Sequence, residues 1–374
     1  MKPSQSLFCC ATLSAALLLT GGCKESGERA AAEEAPITGK PTDPPVEMKA
    51  QWKPGQRYTM HLEMTQSGQM PWGRGTGGQE SSIGQDYTVT ATDVPGGGRK
   101  LDLEINALAV EAGAGDRVWL RYDSLNKVTP NEGPSVELLD KLIGGRIRYL
   151  LDADNKVTQV DGVQELFARL DGGAANTTRG PGGQRGGGRF GGGGPGGILQ
   201  RFYNADVFKQ LVDVSGLPQN ATRIGDTWSV TKDVPAAVVG TLVLTTTNRL
   251  KGWQVRDGKN CARIEFTGTL VPKGKTENLP FLGGLKLENG KINGTSWFSP
   301  DIGLPVETTL NQTYTLTGTR AANFAPRRGT NAPAGATNAP PEKFSSPMRQ
   351  TFSVKLTEVQ PAPAPASAAG TEQK

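Results

Sequence analysis

Histidine occurs once in the 374 residues, as His61, and cysteine four times, with Cys9, Cys10 and Cys23 crowded into the first 23 positions. Beyond them only Cys261 remains, so the body of the chain can form no internal disulfide and needs an apolar core instead. One histidine and one free thiol are too few for a zinc site of the usual nitrogen and sulfur type, and no metal or cofactor site is expected. A Ser-His-Asp or Cys-His arrangement would have to use His61, and nothing around that residue resembles a nucleophile elbow. Aromatic residues make up 6% and hydrophobic residues 36% of the chain, the latter below ordinary globular usage. The net charge is only +5, and the cations are scattered, which gives no case for nucleic acid as a partner.

Glycine and proline are abundant, at 50 and 26 residues, and many of them concentrate in four stretches without apolar periodicity. Residues 24–48, rich in Ala, Glu, Pro and Gly, are expected to be a flexible tether. Residues 171–197 mix glycine with Arg179, Arg185, Arg189 and Phe190, and are expected to form a disordered surface loop, since almost nothing apolar is available to bury. Residues 321–348 repeat Thr330-Asn331-Ala332-Pro333 as Thr337-Asn338-Ala339-Pro340 and read as a disordered insertion. Residues 360–374 form a Pro/Ala tail. Between these lie two folded blocks, 49–170 and 198–320, and a final strand at 349–359.

Both blocks alternate with a period of two. Tyr58, Met60, Leu62 and Met64 interleave with Thr59, His61, Glu63 and Thr65, and Leu101, Leu103 and Ile105 with Asp102, Glu104 and Asn106. Ala262, Ile264, Phe266 and Leu270 repeat the pattern, as do Phe352, Val354 and Leu356. Antiparallel strands with one packed and one wet face produce this alternation. Turn signals stand at Pro95-Gly96-Gly97-Gly98, Asp257-Gly258 and Asn289-Gly290. Helices are expected where Asp161 precedes the stripe Val163, Leu166, Phe167, Leu170, with Gln164 completing a capping box. A second is expected from Asn204 through Val207, Phe208, Leu211 and Val212, and a short one over residues 136–143. The fold class is therefore mainly β: one or more curved antiparallel sheets, or a half-barrel, with two or three covering helices. Gly55-Gln56-Arg57-Tyr58 and Gly225-Asp226-Thr227-Trp228 open the two blocks alike. A duplicated unit explains this, as does the general likeness of antiparallel meanders.

Lys2 and the apolar run of residues 7–19 form a signal core, shorter than the roughly 20 apolar residues that span a bilayer. The run ends in Leu19-Thr20-Gly21-Gly22-Cys23, which resembles the lipobox of bacterial lipoproteins, with Thr20 where Leu is commoner. The resemblance implies removal of residues 1–22, lipidation of Cys23, and membrane attachment through its acyl chains. Removing Lys2 lowers the net charge to 5 − 1 = +4. Several chains, at about 0.8 kcal/mol per buried CH₂, make release negligible. Lys24 after the cysteine is similar to outer-membrane sorting signals, which implies the cell envelope and the periplasmic face of the outer membrane. The turn-aromatic openings and Trp297-Phe298-Ser299-Pro300-Asp301-Ile302-Gly303-Leu304-Pro305 resemble an uncharacterised family of bacterial envelope proteins. That segment is also similar to half-barrel lipoprotein carriers of the periplasm, which implies an apolar cavity for acyl chains.

Few residues offer chemistry. His61 falls on the polar side of its strand, and Cys261 reads as a small residue near a strand end. Asp102, Glu104 and Glu265 also lie on polar strand faces, where two facing carboxylates could act as acid and base in an envelope hydrolase. Arginines among glycines are the composition of single-strand nucleic-acid binders, but export removes that partner, leaving acidic envelope polymers as contacts for the loop. No lysine stands in it to make a phosphate-binding loop. The sequence thus favours a non-catalytic, lipid-anchored binding module, for a lipid or other apolar ligand. A structural protein that contacts other envelope components is the alternative, and a hydrolase the third.

Overall fold

The computed structural model describes residues 35–68, 78–115, 117–126, 134–171, 208–209, 211–214, 216–236, 240–274, 282–320 and 342–362. The expected signal, Cys23, the Gly/Arg-rich loop, most of the repeat-bearing insertion and nearly all of the tail lie outside these residues. Every described residue except Ala35 belongs to one unit, within Pro36–Lys374.

Among the described residues, twelve antiparallel strands form one open, curved sheet. Chain order is β1 (Gln56–Gly68), β2 (Gln79–Val94), β3 (Gly98–Ala114), β4 (Arg117–Asp123), α1 (Pro134–Asp140), β5 (Arg146–Leu151), β6 (Val157–Asp161) and α2 (Val163–Asp171). The second half continues with β7 (Thr227–Ala236), β8 (Gly240–Arg256), β9 (Lys259–Pro272), β10 (Leu282–Ser299), β11 (Leu304–Arg320) and β12 (Glu342–Pro361). Across the sheet the order is β6-β5-β3-β2-β1-β12-β11-β10-β9-β8-β7, and β4 shares the free edge of β3 with β5. The two blocks are thus halves of one sheet, joined where β1 pairs with β12 along its length.

The alternation read from the sequence places its apolar members on one face, the inner. Tyr58, Met60 and Leu62 of β1 stand opposite Val89, Tyr87 and Gln85 of β2, and Leu103 stands opposite Val89 and Ile147. The apolar members of these pairs, with Tyr149 and Leu151, form the largest buried cluster, closed over by Leu139 of α1, Val163 and Leu166 of α2, and Phe208. The Tyr149 hydroxyl donates to the Phe208 carbonyl at 3.0 Å, which ties that helical segment to the sheet. A second cluster on the same face gathers Leu242, Leu270, Leu287, Ile292, Leu316 and Met348 from the other half.

Several boundaries differ from those read in the sequence. β12 begins at Glu342, seven residues before the expected 349, so the insertion is shorter by that length. Asn289 and Gly290 are no hairpin turn: they sit within β10, Asn289 at φ 54°, where the register against β11 shifts. Asp161 ends β6, and its carboxylate accepts two bonds from the Gln159 amide instead of capping α2. The short helix is Pro134–Asp140. Of the helix expected from Asn204, Phe208, Lys209 and Leu211 are helical and the rest is largely outside the described residues, as are the Phe167 and Leu170 side chains.

The tether also ends earlier than expected. Thr38 bridges to Trp253 and Val46 to Thr222, and Met48 packs among Leu250, Ala262, Ile264 and Phe298. Gln51 N–H donates to the Gly303 carbonyl at 2.8 Å, the Ala50 carbonyl accepts from Asn155, and the buried Trp52 meets Tyr58 edge to face with ring centroids 5.0 Å apart. Residues 36–53 therefore form a strap along one end of the inner face, from β8 to the β5–β6 turn. At that end the strands join by tight turns, such as the two-residue Asp257-Gly258. The opening glycines match in structure as in sequence: Gly55 N–H donates to Ala91 O and Gly225 N–H to Leu250 O, both at 2.8 Å.

Candidate functional site: the inner face of the sheet

The two faces differ in charge because the alternation segregates side chains. On the outer face, ion pairs and threonines run across the strands. Asp102 is held by Lys100 at 2.9 Å and Arg148 at 3.0 Å, Glu104 by Arg146 at 3.2 Å, and Glu265 by Lys251 and Arg263 at 3.4 and 3.2 Å. Partial burial of Asp102 opposes its ionisation, but the bonds and charges of Lys100 and Arg148 prevail and hold its pKa below the ordinary value. Glu265 lies on β9, six strands from β3, or about 29 Å along the sheet at roughly 4.8 Å per strand. Asp102 and Glu104 share a face of β3, and each is matched by an opposing arginine in register. Glu265 is thus not brought to the other two, and all three carboxylates are engaged by cations.

His61 points to the same outer face and meets Asp86 at 2.6 Å across strands, both about two-fifths exposed. Cys261 is fully buried on that face beside Trp297 and Val306. Burial, aided by Asp257 and opposed by the nearby Lys259 and Arg256 charges, pushes its thiol up to about 11. No pattern along the chain announces the cluster around Trp297. Arg256 grips Glu307 through two bonds of 2.7 and 2.9 Å and lies 4.6 Å from the centre of the indole ring. The ring nitrogen donates to Gln254 at 2.6 Å. Only cross-strand register brings these residues together. Among the described residues no group of three His, Cys, Asp or Glu side chains could hold a metal, and no helix is long and apolar enough to cross a membrane.

The inner face presents the opposite chemistry. Register places Leu62, Val354 and Thr308 in one row, Met64, Phe352 and Leu310 in the next, and Gln66, Gln350 and Gln312 in a third. Away from strand ends, and among the described residues, these rows carry no charged side chain from β5 to β8. Lys232 on the edge strand β7 is the first, and it pairs with Asp213 at 3.2 Å. Met64, Ile83, Phe352 and Val354 pack at the margin of the first cluster and Leu310 and Tyr314 at that of the second. All six are only half-buried, so the strip between the two cores keeps accessible apolar surface. A separate open cleft of about 840 Å³ lies between residues 217–222 and 225–230. Its one carboxylate, Asp226, accepts from the Arg223 backbone.

No family model matches the chain, and no curated protein matches it. Among solved structures the sheet is similar to lipovitellin, whose structure is described for its lipid–protein interactions, with 12% identity, a TM-score of 0.45, and coverage of 86% of this chain. The chain spans 27% of the lipovitellin chain's length. It is also similar to the COG4313 outer membrane channel from Pseudomonas putida F1, with 8% identity, TM-score 0.19, and coverage of 83% and 99% of the two chains. A DUF1329 family protein from Desulfovibrio piger shows 9% identity, TM-score 0.15, and coverage of 80% and 86%. At TM-scores this low, none of the three fixes a family or a function for this chain.

Proposed function

We propose that the protein is a lipid-anchored, non-catalytic lipoprotein of the cell envelope whose sheet binds an apolar ligand, an acyl chain or similar, on its inner face. The observation that supports the reading is the half-buried strip Met64, Leu310, Phe352 and Val354, which continues two buried cores on a face that carries no central charge among the described residues. Leaving such side chains half-exposed forgoes about 25 cal/mol for each Å² of apolar surface that a ligand would cover. The strap closes one end of this face and the helices one side, so the ligand enters from the opposite end. Anchoring by Cys23 would hold the module beside the bilayer that supplies such ligands.

Two measurements test this. The mature chain with Cys23→Ser, kept soluble, is analysed by native mass spectrometry after exposure to mixed lipids; adducts of unaltered acyl mass are expected. Phe352→Gln weakens their capture at least fivefold, whereas Thr351→Gln on the outer face leaves it unchanged. Protein that stays ligand-free, or equal loss in both variants, counts against the inner face. Metabolic labelling with a fatty acid marks the wild-type chain and spares Cys23→Ser; an unlabelled wild type removes the anchor.

A further inference from the structure

The row Gln66, Gln350 and Gln312 stands out on the inner face, because three neighbouring strands place an amide at one level between apolar rows. The row above it holds Met348 and Tyr314, and the row below holds Met64, Phe352 and Leu310. The Gln312 side-chain amide donates to the Gln350 side-chain oxygen Oε1, which orients the Gln350 amide. The Gln350 NH₂ group is then turned to the Met64 thioether sulfur at 2.7 Å. A thioether is a weak acceptor, so a strong amide donor faces a partner that an ester or amide oxygen would outcompete.

We infer that the inner face takes an uncharged acyl ester or amide, its carbonyl accepting from Gln350 and its chain lying over Phe352 and Val354. The inference rests on the proposed apolar site and adds the class of its polar group. Two observations select that class. Among the described residues, a carboxylate or phosphate at this level would meet no cation on its face, and burying an unpaired charge is far costlier than burying a carbonyl that receives a hydrogen bond. The strip from Gln350 to Val354 is four residues, about 13 Å at the strand rise, and its lining is half-buried and apolar. That length fits the first stretch of an extended acyl chain that runs from the carbonyl toward the strap.

The mature Cys23→Ser chain is loaded with the apolar fluorophore N-phenyl-1-naphthylamine, and monooleoylglycerol and oleate are compared as displacers at pH 8. Monooleoylglycerol, the neutral ester, is expected to displace the probe at a concentration at least tenfold lower than oleate. Gln350→Leu removes most of that preference while probe and oleate binding stay as they were; Gln312→Leu, which only orients Gln350, removes part of it. Oleate displacing as well as the ester, or an unchanged preference in Gln350→Leu, overturns the inference and leaves the apolar site standing. A probe that fails to bind overturns the site and the inference together.

Discussion

Tyr58 and Tyr87 occupy neighbouring strands of one core, and both side chains are fully buried, yet their hydroxyls differ. The Tyr58 hydroxyl accepts the Lys53 backbone N–H at 2.8 Å. The Tyr87 hydroxyl has no hydrogen-bond partner among the described residues, and burial drives its phenol well above the ordinary pKa. A buried polar group without a partner keeps its desolvation cost, about 1–3 kcal/mol, whereas removing an acceptor strands its donor. Tyr87→Phe should therefore be neutral or stabilise by up to about 1 kcal/mol, and Tyr58→Phe should destabilise by about 1 kcal/mol. Denaturant midpoints for the two variants check this; a larger loss for Tyr87→Phe would show that its hydroxyl has a bonded role. Cys261 gives a pH test at the same scale. Its folded pKa of about 11 lies above the ordinary 9.0, so its contribution is full below pH 9 and fades as pH rises toward 11. Relative to Cys261→Ala, the wild type should lose up to about 2 kcal/mol across that window, read from parallel denaturation curves.

Among the elements, the strap depends on two glycines, one at the register shift within β8 and one in the turn between β10 and β11. At Gly252, φ is +148° and an added Cβ would stand 2.5 Å from the Thr38 carbonyl oxygen; at Gly303, φ is +84° and the Gln51 carbonyl oxygen would stand 2.9 Å away. Gly252→Ala should release the Thr38–Trp253 bridge and speed amide exchange there by tenfold or more, with Met48 and Trp52 still packed. Exchange mass spectrometry over residues 36–53 checks this, and unchanged protection at Thr38 would sink it. None of this was legible in residues 36–48, because Ala, Glu and Pro composition is the same in a free tether and in one pinned by two bridges. The strands were legible because burial on one face writes a period of two into the sequence. Their changes of parity were not. The shift at Asp86/Tyr87 lets the inner residues of β3 pass from Leu101, Leu103 and Ile105 to Leu108 and Val110, and Asn289-Gly290 imitates a turn where the chain makes a bulge. The glutamine row had the same fate. Each glutamine continues an alternation, Met64 to Gln66 and Phe352 to Gln350, but only the pairing of β1 with β12 and of β12 with β11 makes them neighbours.

For the molecule as a whole, the decisive contact is the one farthest apart in sequence. β1 and β12 pair through thirteen positions, from Gln56 opposite Pro361 to Gly68 opposite Met348. Each half would otherwise be a meander with two open edges, and an open edge of this length invites pairing with other chains. Closing the seam requires nearly the whole chain to be looped first, an entropic cost that precedes the contacts, so folding should be slow for a domain of this size. It should also be cooperative across the halves, because Leu356 and Phe352 of β12 pack in the same cluster as Tyr58 and Met64 of β1. A chain ending before Glu342 should thus lose both halves instead of one, and aggregate through the bared edges of β1 and β11. The check is a denaturant titration that follows Trp52 in one half and Trp253 in the other through variants retaining a single tryptophan. Coincident transitions support one cooperative sheet. Two separated transitions, or a truncated chain that stays monomeric with half its amides protected, would mean that the seam joins two independently stable parts.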